Sequence, residues 1–213
     1  AATLEQAYQA IIGAMTVTFA GKEMTMPQMA KFQEEPDRAV REEAFRVVAG
    51  RRLKDKDQIE DIFDKLIALR HTIATNAGFA NFRDYAFKAR RRFDYTVADC
   101  NSYAQGVEQA VVPALRAINK LRSETLGISP LRPWDMGVDV KGRAPLKPFT
   151  DGADLYERSL RLFKRMDASL GELFAAMRTG GCLDLDSRKG KAPGGYQATR
   201  DRQRMPFIFM NAA

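Results

Sequence analysis

The chain has 213 residues, of which 45% are apolar and 29% charged, and a formal net charge of +7. A chain of this length can bury roughly 70% of its unfolded surface without disulfides, and the composition is neither disordered nor membrane-like. No run approaches the ~20 consecutive apolar residues of a membrane span, and AATLEQAYQAIIGAM lacks the basic stretch, apolar core and cleavage site of a signal peptide.

In chain order, residues 3–13 read as a short alanine-rich helix. MTVTFAGKEMTM then changes to a period of two: Met15, Val17 and Phe19 alternate, Ala20-Gly21-Lys22 turns, and Met24 and Met26 resume. That is a β-hairpin, a scaffold element or rim rather than a site of chemistry. Pro27 opens a short helix over 27–33. From Pro36 the apolar residues Phe45, Val48, Ile59, Ile62, Phe63, Leu66, Ile67 and Ile73 recur at helical spacing, with Gly50 and the charges of 51–57 as a bend or break. Asn76-Ala77-Gly78 supplies a stop.

Asn81 can cap a helix with Phe82, Tyr85 and Phe87. Asp94 or Thr96 can cap the next, Thr96 and Asp99 resembling a capping box. That helix carries Cys100, Tyr103, Val107, Val111, Leu115, Ile118 and Leu121 on one stripe before Gly127, with a kink expected at Pro113. ISPLRPWDMGVDVKGRAPLKPF reads as an ordered connector, Trp134 and Asp135 forming an anchored turn. Helices over 153–166 and 168–178 follow, with Asp167 as the cap between them. The tail has two glycine-containing turns and then PFIFMN, a strand by length and aromatic content. A strand needs a partner and a cover, and the expectation is that both lie beyond Ala213.

Two features limit the chemistry. Cys100 and Cys182 lie far apart with no CxxC or CxxH company and read as two reduced thiols. His71 is the single histidine, late in a helix, where a structural role suits it. Multi-histidine zinc sites and Ser or Cys triads are therefore out of reach of these residues. The positive charge is diffuse: Arg90-Arg91-Arg92 near Arg83 and Lys88; Arg188, Lys189 and Lys191; Arg200, Arg202 and Arg204. No zinc finger, basic zipper or RNA-recognition signature surrounds them, which argues against nucleic acid as a partner.

SRKGKAPGGYQ followed by PFIFMNAA resembles the segment that precedes the zinc helix in oligoendopeptidase F-like metallopeptidases, relatives of thimet oligopeptidase. LRPWDMGVDV, NAGFANFRDYAF and GAMTVTFAGKEMT extend the resemblance over essentially the whole chain, four blocks in the family's order. The resemblance implies a mainly α fold with the early hairpin and a small C-terminal β element, one helical region over 1–213 within a larger fold. It also implies a deep channel and cleavage of short peptides by one zinc ion.

In that family an H-E-x-x-H helix holds zinc and supplies the general base, a downstream glutamate completes the ligands, and a tyrosine or histidine stabilises the oxyanion. None of these is present here. The zinc helix is expected just past Ala213, so the chain reads as a fragment, inactive alone, with no catalytic or metal-ligating residue of its own. Its partners would be short peptides and the remainder of the catalytic domain, in the cytoplasm, with no membrane.

The expected contribution is substrate binding by Gly194, Gly195, Tyr196, Phe207, Ile208, Phe209 and Asn211. Residues 206–211 would form an edge strand to which an extended peptide adds, with Gly194 and Gly195 permitting close approach and Tyr196 touching substrate. Equally, the glycines make only a tight turn and Tyr196 packs in the core. Arg188, Lys189 and Lys191 either meet a terminal carboxylate or are loop charges, Arg188 pairing with Asp184 or Asp186. The alternative function is a non-catalytic basic helical module that binds peptide, nucleic acid or an acidic partner.

Overall fold

The structure, a computed structural model, describes residues 1–212. α1 (Ala2–Ala14) leads into a hairpin of β1 (Thr16–Phe19) and β2 (Lys22–Thr25), paired antiparallel from Thr16 opposite Thr25 to Phe19 opposite Lys22. Ala20 and Gly21 between them take φ of 49° and 75°, the two-residue turn whose twist matches paired strands. Thr25 then caps α2 (Met26–Ala30). Its hydroxyl accepts from Gln28 N, and the Gln28 side chain accepts from Thr25 N, closing a capping box. One 3₁₀ turn, Lys31–Gln33, completes the short helix.

α3 (Arg38–Leu53), capped by Asp37, and α4 (Lys56–Asn76) are separate helices, so the charged stretch after Gly50 ends one and starts the other. α5 (Phe82–Ala89) begins at Asn81, whose side chain accepts from Asp84 N. α6 (Val97–Gly106) begins at the Thr96–Asp99 capping box. It passes through a π turn, Val107–Val111, into α7 (Val112–Leu126). The disturbance expected at Pro113 thus falls in the preceding turn, because proline offers no N–H to a carbonyl there and the bonding shifts to wider spacing. Left-handed Gly127 ends α7, and Pro133–Asp135 forms a 3₁₀ turn in which Trp134 and Asp135 are buried. α8 (Gly152–Met166) and α9 (Ala168–Thr179) meet at Asp167, which ends the first and caps the second. β3 (Leu183–Asp186), β4 (Tyr196–Arg200) and β5 (Met205–Ala212) complete the chain's elements. No helix among the described residues is long and apolar enough to cross a membrane.

The chain divides into two compact units, Ala1–Ala7 with Lys56–Met136, and Tyr8–Asp55 with Gly137–Ala213. In the first, Ile62, Leu66 and Ala74 of α4 are buried, and Phe79 meets the Tyr85 ring edge-on at 5.7 Å. The apolar stripe of α6 and α7 faces outward: Tyr103 is 77% exposed and Leu121 64%. Helical periodicity identified the stripe; it could not say whether the chain itself covers it.

The second unit has a core of Met15, Val17, Phe19, Met26 and Met29, with the Phe19 and Phe32 rings 4.7 Å apart. Buried Arg41 donates through Nη1 to the carbonyls of Glu35 and Pro36, at 2.8 and 2.9 Å, fixing the turn before α3. α8 and α9 pack through Phe174, 5.2 Å from Tyr156 and 5.0 Å from Phe163. Gly137 passes so close to the 3₁₀ turn that a β-carbon there would lie 2.9 Å from the Gln33 carbonyl oxygen. Main chain cannot yield as a side-chain tip can. Gly137→Ala is therefore expected to cost about 1–3 kcal/mol in urea unfolding, whereas Gly50→Ala, with open space around it, should stabilise its helix by about 0.5–1 kcal/mol.

In the C-terminal sheet the strand order is β3-β5-β4. β5 is therefore central, parallel to β3 and antiparallel to β4. This corrects the expectation of an edge strand at 206–211. It also supplies β5 with partners from upstream, so none is required from beyond Ala213.

Candidate functional site

The sheet is built around what its central strand can donate. Tyr196 stands opposite Phe209, Ala198 opposite Phe207, Thr199 opposite Pro206 and Arg200 opposite Met205. Pro206 has no N–H, and the Ile208 N–H is directed the other way, to the Cys182 carbonyl at 2.8 Å. In an antiparallel pair, bonded and non-bonded positions alternate. Tyr196, Ala198 and Arg200 therefore carry the ladder to β5, while Gln197 and Thr199 turn their N–H and C=O groups to the open side of β4. Four of the five β4 residues are exposed. β3 and β4 are the two edge strands of the sheet, and β4 is the exposed one that offers the Gln197 and Thr199 groups to a partner strand.

Its two faces differ. On one, the Tyr196 ring stacks on Phe209 at 5.0 Å and 15°, and Phe207 lies 6.3 Å away. The cations Lys191 and Arg200 sit over Phe209 and Phe207, at 4.5 and 5.0 Å. Tyr196 is 56% exposed, so it is stacked on the sheet rather than enclosed in a core. The opposite face of β4 carries Gln197 and Thr199, whose side chains bond each other at 3.4 Å.

The glycine pair has a backbone reason at both positions. Gly194 takes φ of 90°, and a β-carbon on Gly195 would lie 3.0 Å from the Phe209 carbonyl oxygen. Asn211 holds this turn from the central strand, its Nδ2 donating to the carbonyls of Gly194 at 2.8 Å and Ala192 at 3.0 Å. Met210, Asn211 and Ala212 also line a groove of about 750 Å³, with Phe32 and the extended Pro148-Phe149 among its other walls. The expected site residues thus fall into groups: Gly194, Gly195 and Tyr196 lead into the open strand, Phe207 and Phe209 support its aromatic face, Ile208 faces β3, and Asn211 braces the turn.

Sequence reasoning missed Lys191. Placed there in an exposed basic cluster, it is buried. Its Nζ donates to the main-chain carbonyls of Asp184 (3.0 Å), Asp186 (2.8 Å) and Met210 (2.6 Å), and to Asp184 Oδ1 at 2.9 Å. One ammonium joins both parallel strands to the glycine loop. The only hint in the sequence is its isolation among small residues, Gly190 before it and Ala192-Pro193 after. Its neighbours do behave as loop charges: Arg188 forks onto Asp184 at 2.6 and 2.9 Å, and Lys189 meets Glu23 at 2.8 Å. Asp186 accepts from Gly152 N at 2.7 Å, tying the start of α8 to the sheet.

The Asp184 carboxyl is lowered to about 2, chiefly by the Arg188 hydrogen bonds; burial opposes this, and the Lys191 ammonium adds to the lowering. Because the folded value lies below the unfolded one, the ion pair's stabilisation is complete above the ordinary aspartate range and is lost as pH falls toward 2. Acid titration of unfolding should therefore show a loss of stability between about pH 4 and 2 that Asp184→Asn removes; an unchanged acid limb in that variant would contradict the assignment.

Among the described residues no group of three His, Cys, Asp or Glu side chains is placed to hold a metal ion. His71 is exposed on α4, Cys100 is exposed and Cys182 buried, both thiols free. These residues do not fit a zinc ion.

The model of peptidase family M3 matches residues 31–213. No curated protein matches the chain. Among solved structures, one described as an oligoendopeptidase F from Bacillus anthracis str. Ames aligns with a TM-score of 0.88 at 27% identity, over 99% of this chain and 38% of that one. PZ peptidase A, solved with an inhibitor, aligns with a TM-score of 0.89 at 27% identity, over 99% of this chain and 37% of that one. A peptidase structure from Chlamydophila abortus, at 11% identity and a TM-score of 0.56 over 99% of this chain and 35% of that one, shares the fold. The chain thus spans less than two-fifths of the length of these proteins.

Proposed function

The chain belongs to peptidase family M3, and we propose that it forms the substrate-binding wall of a zinc-dependent oligoendopeptidase that hydrolyses short peptides in the cytoplasm. The observation that carries this reading is the open edge of β4. Gln197 and Thr199 offer main-chain donors and acceptors, and an extended peptide can pair with them whatever its side chains. Affinity without strict sequence specificity is what hydrolysis of varied short peptides needs.

Within this proposal Gly194 and Gly195 let substrate pass close to the main chain, and Tyr196 contacts it. Phe207 and Phe209 act through the aromatic face, Ile208 and Asn211 by holding the sheet and its turn. The zinc ligands and the general base would come from an H-E-x-x-H helix and a downstream glutamate outside these residues, and the exposed α6–α7 stripe would pack against the rest of that catalytic domain. The single histidine supports the division of labour. The charge pattern weighs against a nucleic-acid module, since many cations are engaged by carboxylates, such as Arg158 with Asp154, Lys65 with Asp61 and Arg188 with Asp184.

Two measurements test the proposal. The 213-residue chain with added zinc should not cleave a quenched peptide; chelator-sensitive hydrolysis would show that it holds ligands of its own. A capped pentapeptide should bind the chain, and N-methylation of its edge-pairing amides should weaken binding at least about tenfold. Equal binding by the methylated peptide would remove main-chain pairing as the mode.

A further inference from the structure

The two faces of β4 are unequal in a way that predicts a side-chain preference. This step rests on the proposed addition of peptide to β4. Along the aromatic face the side chains run Tyr196, Ala198, Arg200. The outer two are large and fixed: Tyr196 is stacked on Phe209, and the Arg200 guanidinium donates to the carbonyls of Gly180 and Gly181 at 3.4 and 3.2 Å while lying over Phe207. Ala198 between them is an exposed methyl directly opposite Phe207. The result is a notch in the edge, with Tyr196 and Arg200 as walls and Phe207 at its back.

We infer that this notch is a specificity subsite for an aromatic or large apolar side chain of an extended peptide. The Ala198 N–H and C=O are used by the ladder to β5. A residue opposite Ala198 on an incoming antiparallel strand therefore occupies a non-hydrogen-bonded pair, the type in which facing side chains come closest. Strands lie ~4.8 Å apart, so a large side chain at that position reaches across the alanine to the edge of Phe207. A small one leaves the notch open to water. On the other face the Gln197 amide donates to Thr199 Oγ1 at 3.4 Å, and the two side chains present no such gap.

The test uses the full ¹⁵N-labelled chain and capped peptides Thr-Thr-X-Thr-Thr with X as Phe, Leu, Ala or Asp, followed by amide shifts at Gln197 and Thr199. Phe should bind about tenfold tighter than Ala, the scale of one good aromatic cross-strand contact plus its buried area, with Leu between them. Ala198→Leu, a change at an exposed position that fills the notch, should reduce that ratio to under about threefold. Equal affinities for all four peptides, with the Gln197 and Thr199 shifts present, would overturn the notch and leave peptide addition standing. A preference that survives Ala198→Leu would also overturn it. No shift at Gln197 or Thr199 with any peptide would overturn the edge-binding reading and the notch together.

Discussion

Lys191→Met is expected to lower the unfolding free energy by about 3–5 kcal/mol, the range for removing one partner of a buried charged network. Methionine replaces the volume of the side chain but not the three N–H donors that its ammonium shares among four acceptors. The carbonyls of Asp184, Asp186 and Met210 would each lose their ammonium donor, and an unsatisfied buried acceptor costs about 1–3 kcal/mol. Lys189→Met is the control: its pair with Glu23 is between side chains 62% and 57% exposed, and such pairs contribute about 0–1 kcal/mol. Urea unfolding of both variants checks the contrast. Equal effects would mean that Lys191 is another surface charge, as its sequence neighbours are. The consequence reaches function, because this ammonium fixes the end of β5 and the loop that leads into β4.

The second large effect is on binding. Gln197→Pro should weaken peptide affinity by about 30–100-fold, equivalent to ~2–3 kcal/mol for a lost edge donor and a ring projecting into the pairing plane. The fold should persist, because the Gln197 N–H takes no part in the ladder and proline is tolerated on that side of an edge strand. Ala198→Pro, which removes a ladder donor, should instead disrupt the β4–β5 pair. Isothermal titration with a capped pentapeptide, beside circular dichroism of each variant, separates the two. Unchanged affinity in a folded Gln197→Pro variant would place peptide elsewhere.

Most helix boundaries were legible because their chemistry is local. Asn81, Thr96 with Asp99, and Asp167 each cap within three residues, and the Ala20-Gly21 turn closes strands only four residues long. The C-terminal sheet was legible only in part. PFIFMN announces a strand, but its place between two others depends on a parallel partner, LDLD, reached through some twenty intervening residues. No local pattern carries that pairing, and YQATR, exposed and mostly polar, shows no buried face to advertise itself as a strand. Hence the edge was assigned to β5 when the edges are β3 and β4.

The candidate site followed the same division. Gly194, Gly195 and Tyr196 form the turn and first residue of β4, next to the central strand that was expected to be the edge. Lys191 was hidden because composition ranks a lysine as exposed, and it is the convergence of three carbonyls from β3 and β5 with the Asp184 carboxylate that makes its burial favourable. The Ala198 notch was hidden for the opposite reason. An alanine in a polar stretch carries no signal until the side chains two residues to either side are known to share its face.

The most direct measurement of the central claim is hydrogen exchange at the Gln197 and Thr199 amides, with and without a saturating extended peptide. In the free chain these two N–H groups face solvent and should exchange quickly, while Ala198, bonded to β5, is protected. The account predicts that peptide slows exchange at Gln197 and Thr199 together and leaves Ala198 as it was. Protection that appears elsewhere, with these two amides still exchanging as in the free chain, would contradict it.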